Sequence, residues 1–162
     1  MVVLGIDPGF ATVGYGVVRK QGDKLEKIQY GTITTKAGKA FETRLCEIYA
    51  DLNTLIDTFK PDAMAVEELF FNTNVKTAIS VAHARGIIVL AGALKNLPVF
   101  EYTPLQVKQA VVGYGRAEKQ QVMEMTRQML GLANIPKPDD AADALAIAIC
   151  HLHTAGSRLF GK

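Results

Sequence analysis

The sequence predicts one α/β domain, built on a mixed five-stranded sheet with helices on both faces. Three observations carry that expectation. The first 34 residues hold three strand-like runs with a tight turn among them, the pattern of an antiparallel meander. From residue 41 onward helical stripes alternate with short apolar strands, the pattern of parallel crossovers. The chain has 162 residues, 49% hydrophobic and 21% charged, which suits one compact core and excludes a disordered or disulfide-built protein.

Each element has a local reason. Val2 to Asp7 is a buried strand ended by the turn pair Pro8-Gly9. Val13 to Lys20 and Leu25 to Thr34 are joined at Gly22-Asp23, a hairpin turn. Phe41, Leu45, Ile48, Tyr49, Leu52, Leu55, Ile56 and Phe59 recur every three or four residues, so this segment is a helix, stopped by Pro61. Ala63 to Val66 is a short strand delivering Glu67, and Val75 to Leu94 a helix that is apolar or small almost all round. Such a helix is covered on more than one side, by the core and by a second subunit; Ala82 and Ala91 are the positions taken to test that contact. Pro98 to Tyr102 is a fifth strand, and Pro104 opens a helix to Val112. The loop Gly113-Tyr-Gly-Arg116 leads to a helix ending near Leu130. Asp139 to Thr154 is the last helix, with acids in its first turn where the helix dipole favours them. The domain spans 1–154, and 155–162 is expected to be a short, frayed tail.

Cys46 and Cys150 are the only cysteines and are expected to be two buried thiols in a reducing compartment. No basic leader precedes Asp7. No apolar run is expected to reach the ~20 residues of a membrane span, the best being Gly86 to Leu94 behind Arg85. These features suggest a soluble cytoplasmic protein. Net charge is only +2, but Phe70 to Arg116 sets five basic residues (Lys76, Arg85, Lys95, Lys108, Arg116) against one acid, Glu101. A basic sector of this kind suits a polyanion-binding face.

The acids are more specific. Asp7 and Glu67 each end a strand at the carboxyl edge, where α/β ligand sites gather. Asp140 and Asp143 share a face of the last helix at i and i+3, while Asp139 pairs with Asp143 at i and i+4, so spacing leaves both options open. Helix-start acids usually serve as caps and an Asp before Pro-Gly as a turn residue. Three elements ending in acid within apolar surroundings argue instead for a shared role, because unpaired carboxylates there are costly. Clustered carboxylates suit Mg²⁺ or Mn²⁺, and two such ions can activate water and stabilise a leaving oxygen at a phosphodiester.

Taken together, the motifs resemble the bacterial RuvC family of crossover junction endodeoxyribonucleases. They are Leu4-Gly-Ile-Asp-Pro-Gly9, Gly14-Tyr-Gly16, Ala65-Val-Glu67, Leu69-Phe70, Val99-Phe-Glu-Tyr102, Gln106-Val-Lys108-Gln, Val111-Val-Gly113, Ala117-Glu-Lys119 and Asp140-Ala-Ala-Asp143-Ala-Leu-Ala-Ile. The resemblance covers residues 2 to about 154. It implies a ribonuclease H-like fold, a homodimer, and nicking of two like-polarity strands of a four-way (Holliday) DNA junction. It also implies dependence on Mg²⁺ (Mn²⁺ able to substitute, two ions per site) and partnership with the RuvA–RuvB branch-migration complex. Asp7, Glu67, Asp140 and Asp143 then match the catalytic, metal-holding acids, which selects Asp140 over Asp139. Lys108 and Lys119 match DNA contacts near the scissile phosphate, Arg116 is a further candidate, and Phe70 matches an aromatic that stacks at the junction core.

The remaining candidates read as structure. Glu68 points away from Glu67, and Phe71 is expected in the core. His83 is a packed or interface residue, and His151 and His153 at i and i+2 cannot share a helix face. Met123, Met125 and Met129 suit helix packing. An actin-like nucleotide-binding fold shares an Asp-x-Gly turn but normally needs two domains and leaves Asp140 and Asp143 unexplained. A catalytically silent junction-binding protein is the other alternative.

Overall fold

A computed structural model describes residues 1–69 and 75–159. Among them, β1 (Val2–Asp7), β2 (Thr12–Gln21), β3 (Lys24–Thr34), β4 (Ala63–Glu67) and β5 (Val99–Tyr102) form one sheet in the order β3-β2-β1-β4-β5. The first three strands pair antiparallel, and β1–β4 and β4–β5 pair parallel. This is the mixed, ribonuclease H-like sheet expected from the sequence. The hairpin turns at Gly22, whose φ of 59° is the left-handed region that Gly enters without steric cost.

Strand alternation sorts the core into two layers. Leu4, Ile6, Val13, Val17, Met64 and Val66 face α1 (Phe41–Phe59) and α2 (Val75–Leu94), meeting Ile48, Leu52, Ile56, Ala84, Ile88 and Ala91. Val3 and Ala65 face the other way, toward α3 (Pro104–Val112), α4 (Lys119–Met129) and α5 (Asp139–Leu159). α3 starts at a capping box in which Thr103 and Gln106 satisfy each other's backbone N–H groups.

The second layer rests on missing side chains. A Cβ at Gly5 would lie 2.1 Å from the Ala144 carbonyl oxygen, and one at Gly14 would lie 2.0 Å from that of Asp140. Gly16, paired with Gly5 across β1–β2, leaves the same room beneath Leu145. The helix residues over Gly5 are themselves small, Ala144 and Ala148. The helix therefore lies directly on the backbone of β1 and β2. Asp7 has the same parity as Val3 and Gly5, so it projects toward α5 at the end of this bare track.

Four expectations need correction. Cys46 is exposed, because it falls off the stripe through Ile48, Leu52 and Ile56; only Cys150 is buried. The last helix runs on to Leu159, so 155–159 is helical backbone and not a frayed tail. Lys76–Leu94 within α2 is long and apolar enough, by length and composition, to cross a membrane, because small residues extend the apolar stretch N-terminal to Arg85. Within the chain this helix packs on α1 and β5. Finally, Ala91 is buried against the sheet, so it cannot belong to an intersubunit face, whereas Ala82 is exposed.

Gly5→Ala tests the close approach away from the acids. Overpacking of this kind costs about 1–3 kcal/mol, so the melting temperature should fall by roughly 2–12 °C for a domain of this size. An unchanged thermal unfolding curve would show that α5 is free to rise off the sheet.

Candidate active site

The parallel register of β1 and β4 pairs Ile6 with Val66, so Asp7 and Glu67 follow side by side at the strand ends. Both have the parity of the α5-facing residues. Asp140 and Asp143 approach from above on the first turns of α5, with the Asp140 backbone directly over Gly14, the residue paired with Asp7. The strand ends and the helix start thus deliver four carboxylates to one place.

Their electrostatics follow from this convergence. Burial pushes the Asp7 carboxyl up to about 8, and repulsion from Glu67, Asp143 and Asp140 adds to the rise. Burial also raises Glu67, again reinforced by Asp143. Lys119 opposes both shifts. Its ammonium donates to Asp143 Oδ2 at 2.8 Å, and that hydrogen bond holds the Lys119 pKa above its ordinary value. Asp139 is outside this group: it is exposed, ion-paired to Lys137 at 2.7 Å, and held low by that hydrogen bond.

A cavity of about 280 Å³ opens beside the acids, lined by Glu67, Pro104, Val107, Lys108, Lys119, Val122, Asp143 and Ala146. Two cations and two acids therefore share a recess with an apolar wall. Val107 and Val122 form part of its apolar wall, and nothing in their local sequence singles them out. Arg116 is exposed on the loop between α3 and α4, next to exposed Tyr114, and is not among the lining residues. Phe70 and Phe71 lie outside the described residues.

The donors fit a hard divalent cation: all are carboxylate oxygens, and their mutual repulsion is relieved by positive charge. Among the described residues, no three Asp, Glu, His or Cys side chains are already arranged to hold a metal. Asp143 is instead drawn to Lys119. The histidines serve structure, with His151 Nδ1 2.8 Å from the Tyr102 hydroxyl and His153 Nδ1 2.9 Å from the Ala110 carbonyl. Met123 is buried, and Met125 and Met129 pack against the α5 core.

The chain matches the family described as crossover junction endodeoxyribonuclease RuvC over residues 3–151. A relative of that name from Ruminiclostridium cellulolyticum is 58% identical over 151 residues, covering 93% of this chain and 91% of the relative. Thermus thermophilus RuvC in complex with a Holliday junction substrate superposes with a TM-score of 0.93 at 39% identity, covering 98% and 96% of the two chains. The yeast mitochondrial Holliday junction resolvase shares the fold, with a TM-score of 0.69 at 15% identity over 98% of this chain and 82% of that one. With the four acids at one end of a ribonuclease H-like sheet and this similarity over nearly its whole length, the chain belongs to the RuvC family of crossover junction endodeoxyribonucleases.

Proposed function

We propose that this protein resolves four-way DNA junctions by nicking two strands of like polarity, leaving 5′-phosphate and 3′-hydroxyl ends. The family is one of metal-dependent nucleases. The observation that carries the reading is the convergence of Asp7, Glu67, Asp140 and Asp143, close enough to help push Asp7 to about 8. Isolated cap or turn residues would not share their charge in this way.

Asp7, Glu67, Asp140 and Asp143 would hold two Mg²⁺ ions, or Mn²⁺ in their place, whose chemistry is to acidify the attacking water and offset charge on the phosphate oxygens. Asp7 must first give up its proton, so ligand binding and proton release are coupled. Lys108 and Lys119, on the wall of the same recess, neutralise and orient the scissile phosphate. Arg116, exposed on the adjoining loop, extends that contact along the backbone, and Phe70 stacks on an unpaired base at the crossover. Hydrolysis is direct, with no covalent link to the protein.

A near-twofold junction calls for two sites, and α2 supplies a surface for a homodimer. Ile79, Ala82, His83, Gly86, Leu90, Ala93 and Leu94 are all exposed and fall at helical spacing on one stripe. Ile79 and Leu94 are 55% and 61% exposed, more than a solvent-facing helix normally spends on large aliphatic side chains. Ala82 and Gly86 between them allow a second helix to approach closely. The RuvA–RuvB complex is the partner that would deliver the junction, in a bacterial cytoplasm.

The direct test is nicking of a labelled mobile four-way junction against a linear duplex of the same sequence, with Mg²⁺ or EDTA. Paired, symmetric nicks confined to the junction are expected, lost in EDTA and reduced on the order of 10²–10³-fold in Asp7→Asn. Cutting of both substrates would indicate a general nuclease, and binding without cutting in any divalent metal a silent junction-binding protein.

The raised Asp7 pKa fixes a sign for stability. Between its ordinary value of 3.8 and about 8, the folded protein binds more protons at Asp7 than the unfolded chain does. Stability of the metal-free protein should therefore fall as pH rises through that window. Asp7→Asn should flatten the decline and melt roughly 4 °C or more above the native protein at pH 8 in EDTA. Equal pH slopes in the two proteins would place Asp7 in water.

For the dimer, Leu90→Glu should give a monomer by light scattering with unchanged circular dichroism, and should convert paired nicks into single ones. A dimeric Leu90→Glu protein would exclude the α2 stripe as the interface.

A further inference from the structure

We infer that Lys119 is the built-in cation of the acid site: it holds Asp143 while no metal is bound, yields it to an arriving metal, and is thereby freed for the phosphate. The inference rests on the reading of the four acids as metal ligands. It concerns what keeps that site in order before loading, and makes Lys119 a positioning residue whose partner changes during loading.

The position of Lys119 is unfavourable for its own helix. It is the first residue of α4, where the helix dipole opposes positive charge. The compensation comes from Asp143, whose Oδ2 accepts from the ammonium at 2.8 Å. The same ammonium lines the recess that Glu67 and Asp143 share. It stands, in short, where a divalent cation would do the same work with two charges.

Release is cheap on both sides. The Lys119 side chain is 57% exposed and that of Asp143 28%, and a pair so open to water is worth only a factor of a few in equilibrium. A long, flexible stem then lets the freed ammonium stay within the recess and meet an incoming phosphate. Lys108 supplies the internal control. It lines the same recess yet makes no ion pair among the described residues, so it contributes charge without competing for a ligand.

The test is calorimetric titration of the DNA-free protein with Mn²⁺. Lys119→Met should bind Mn²⁺ roughly three- to fivefold more tightly than the native protein. Lys108→Met should shift affinity by less than about twofold, and Lys119→Arg, which keeps the ion pair, should match the native value. In an Asp143→Asn background, adding Lys119→Met should change little, since the contact it removes is already gone. Linkage adds a second readout: Lys119→Met should weaken junction binding several-fold more in Ca²⁺ than in EDTA. Equal effects of Lys119→Met and Lys108→Met would mean diffuse charge and overturn the inference while leaving the metal site intact. Absence of Mn²⁺ binding to the native protein would overturn the metal-site reading, and this inference with it.

Discussion

Contact between the α5 helix and the bare backbone of β1 and β2 governs where everything else can stand. With a methyl group at Gly5 or Gly14, the helix could not hold its height, since the added carbon would meet a helix carbonyl at about 2 Å. At the observed height the first turn of α5 hangs over the end of β1, and Asp140 and Asp143 come down onto the space that Asp7 and Glu67 enter from below. The acid cluster is thus a by-product of helix-to-sheet distance. Shifting that distance by the depth of one methyl group would separate the two pairs and weaken the coupling seen in Asp7.

Close packing also explains why the repulsion is tolerated. Four carboxylates would ordinarily spread into water, but Asp7 is fixed at the end of a strand paired on both sides, and Asp140 and Asp143 by a helix that carries Leu145, Ile147, Ile149 and Leu152 into the core. The hydrophobic term, at ~25 cal/mol per Å² of apolar surface, is summed over the whole helix, whereas the repulsion acts at one end. The fold can therefore impose an arrangement that the acids alone would not choose. Gathering the acids in advance leaves only the Lys119–Asp143 contact to rearrange when cations arrive.

The sheet, its hairpin and the helices were legible in the sequence because each depends on local pattern: the short apolar run of β1 ended by Pro8-Gly9, the stripe of α1, Pro104 at the start of α3. Asp7, Glu67, Asp140 and Asp143 were legible as acids at element ends, and the family resemblance tells Asp140 from Asp139 where spacing alone does not. Less local features were hidden. Cys46 lies one register off the α1 stripe, which only the observed helix phase reveals. The part played by Gly5, Gly14 and Gly16 is invisible without knowing which helix crosses them. Ala91 and Ala82 look alike in sequence, yet nine residues turn the helix by half a revolution, burying one against the sheet and leaving the other outside. The Lys119–Asp143 pair joins residues 24 apart, and nothing local predicts it.

The two exposed features of the chain pull in the same direction. An aliphatic stripe on α2 and an acid site at the end of β1 and β4 that Lys119 compensates only in part are each unfavourable in an isolated, metal-free chain. Each becomes favourable on meeting its complement: apolar surface for the stripe, cations for the acids. The segment from Glu67 to Val75 joins the two directly in sequence, so the strand that ends in a site acid leads into the helix that carries the stripe. On the proposed reading both associations would also stabilise the fold, because whatever binds the folded form alone shifts the folding equilibrium toward it. The unfavourable terms in this fold lie at these two surfaces, while the glycine track and the two apolar layers hold the frame that displays them.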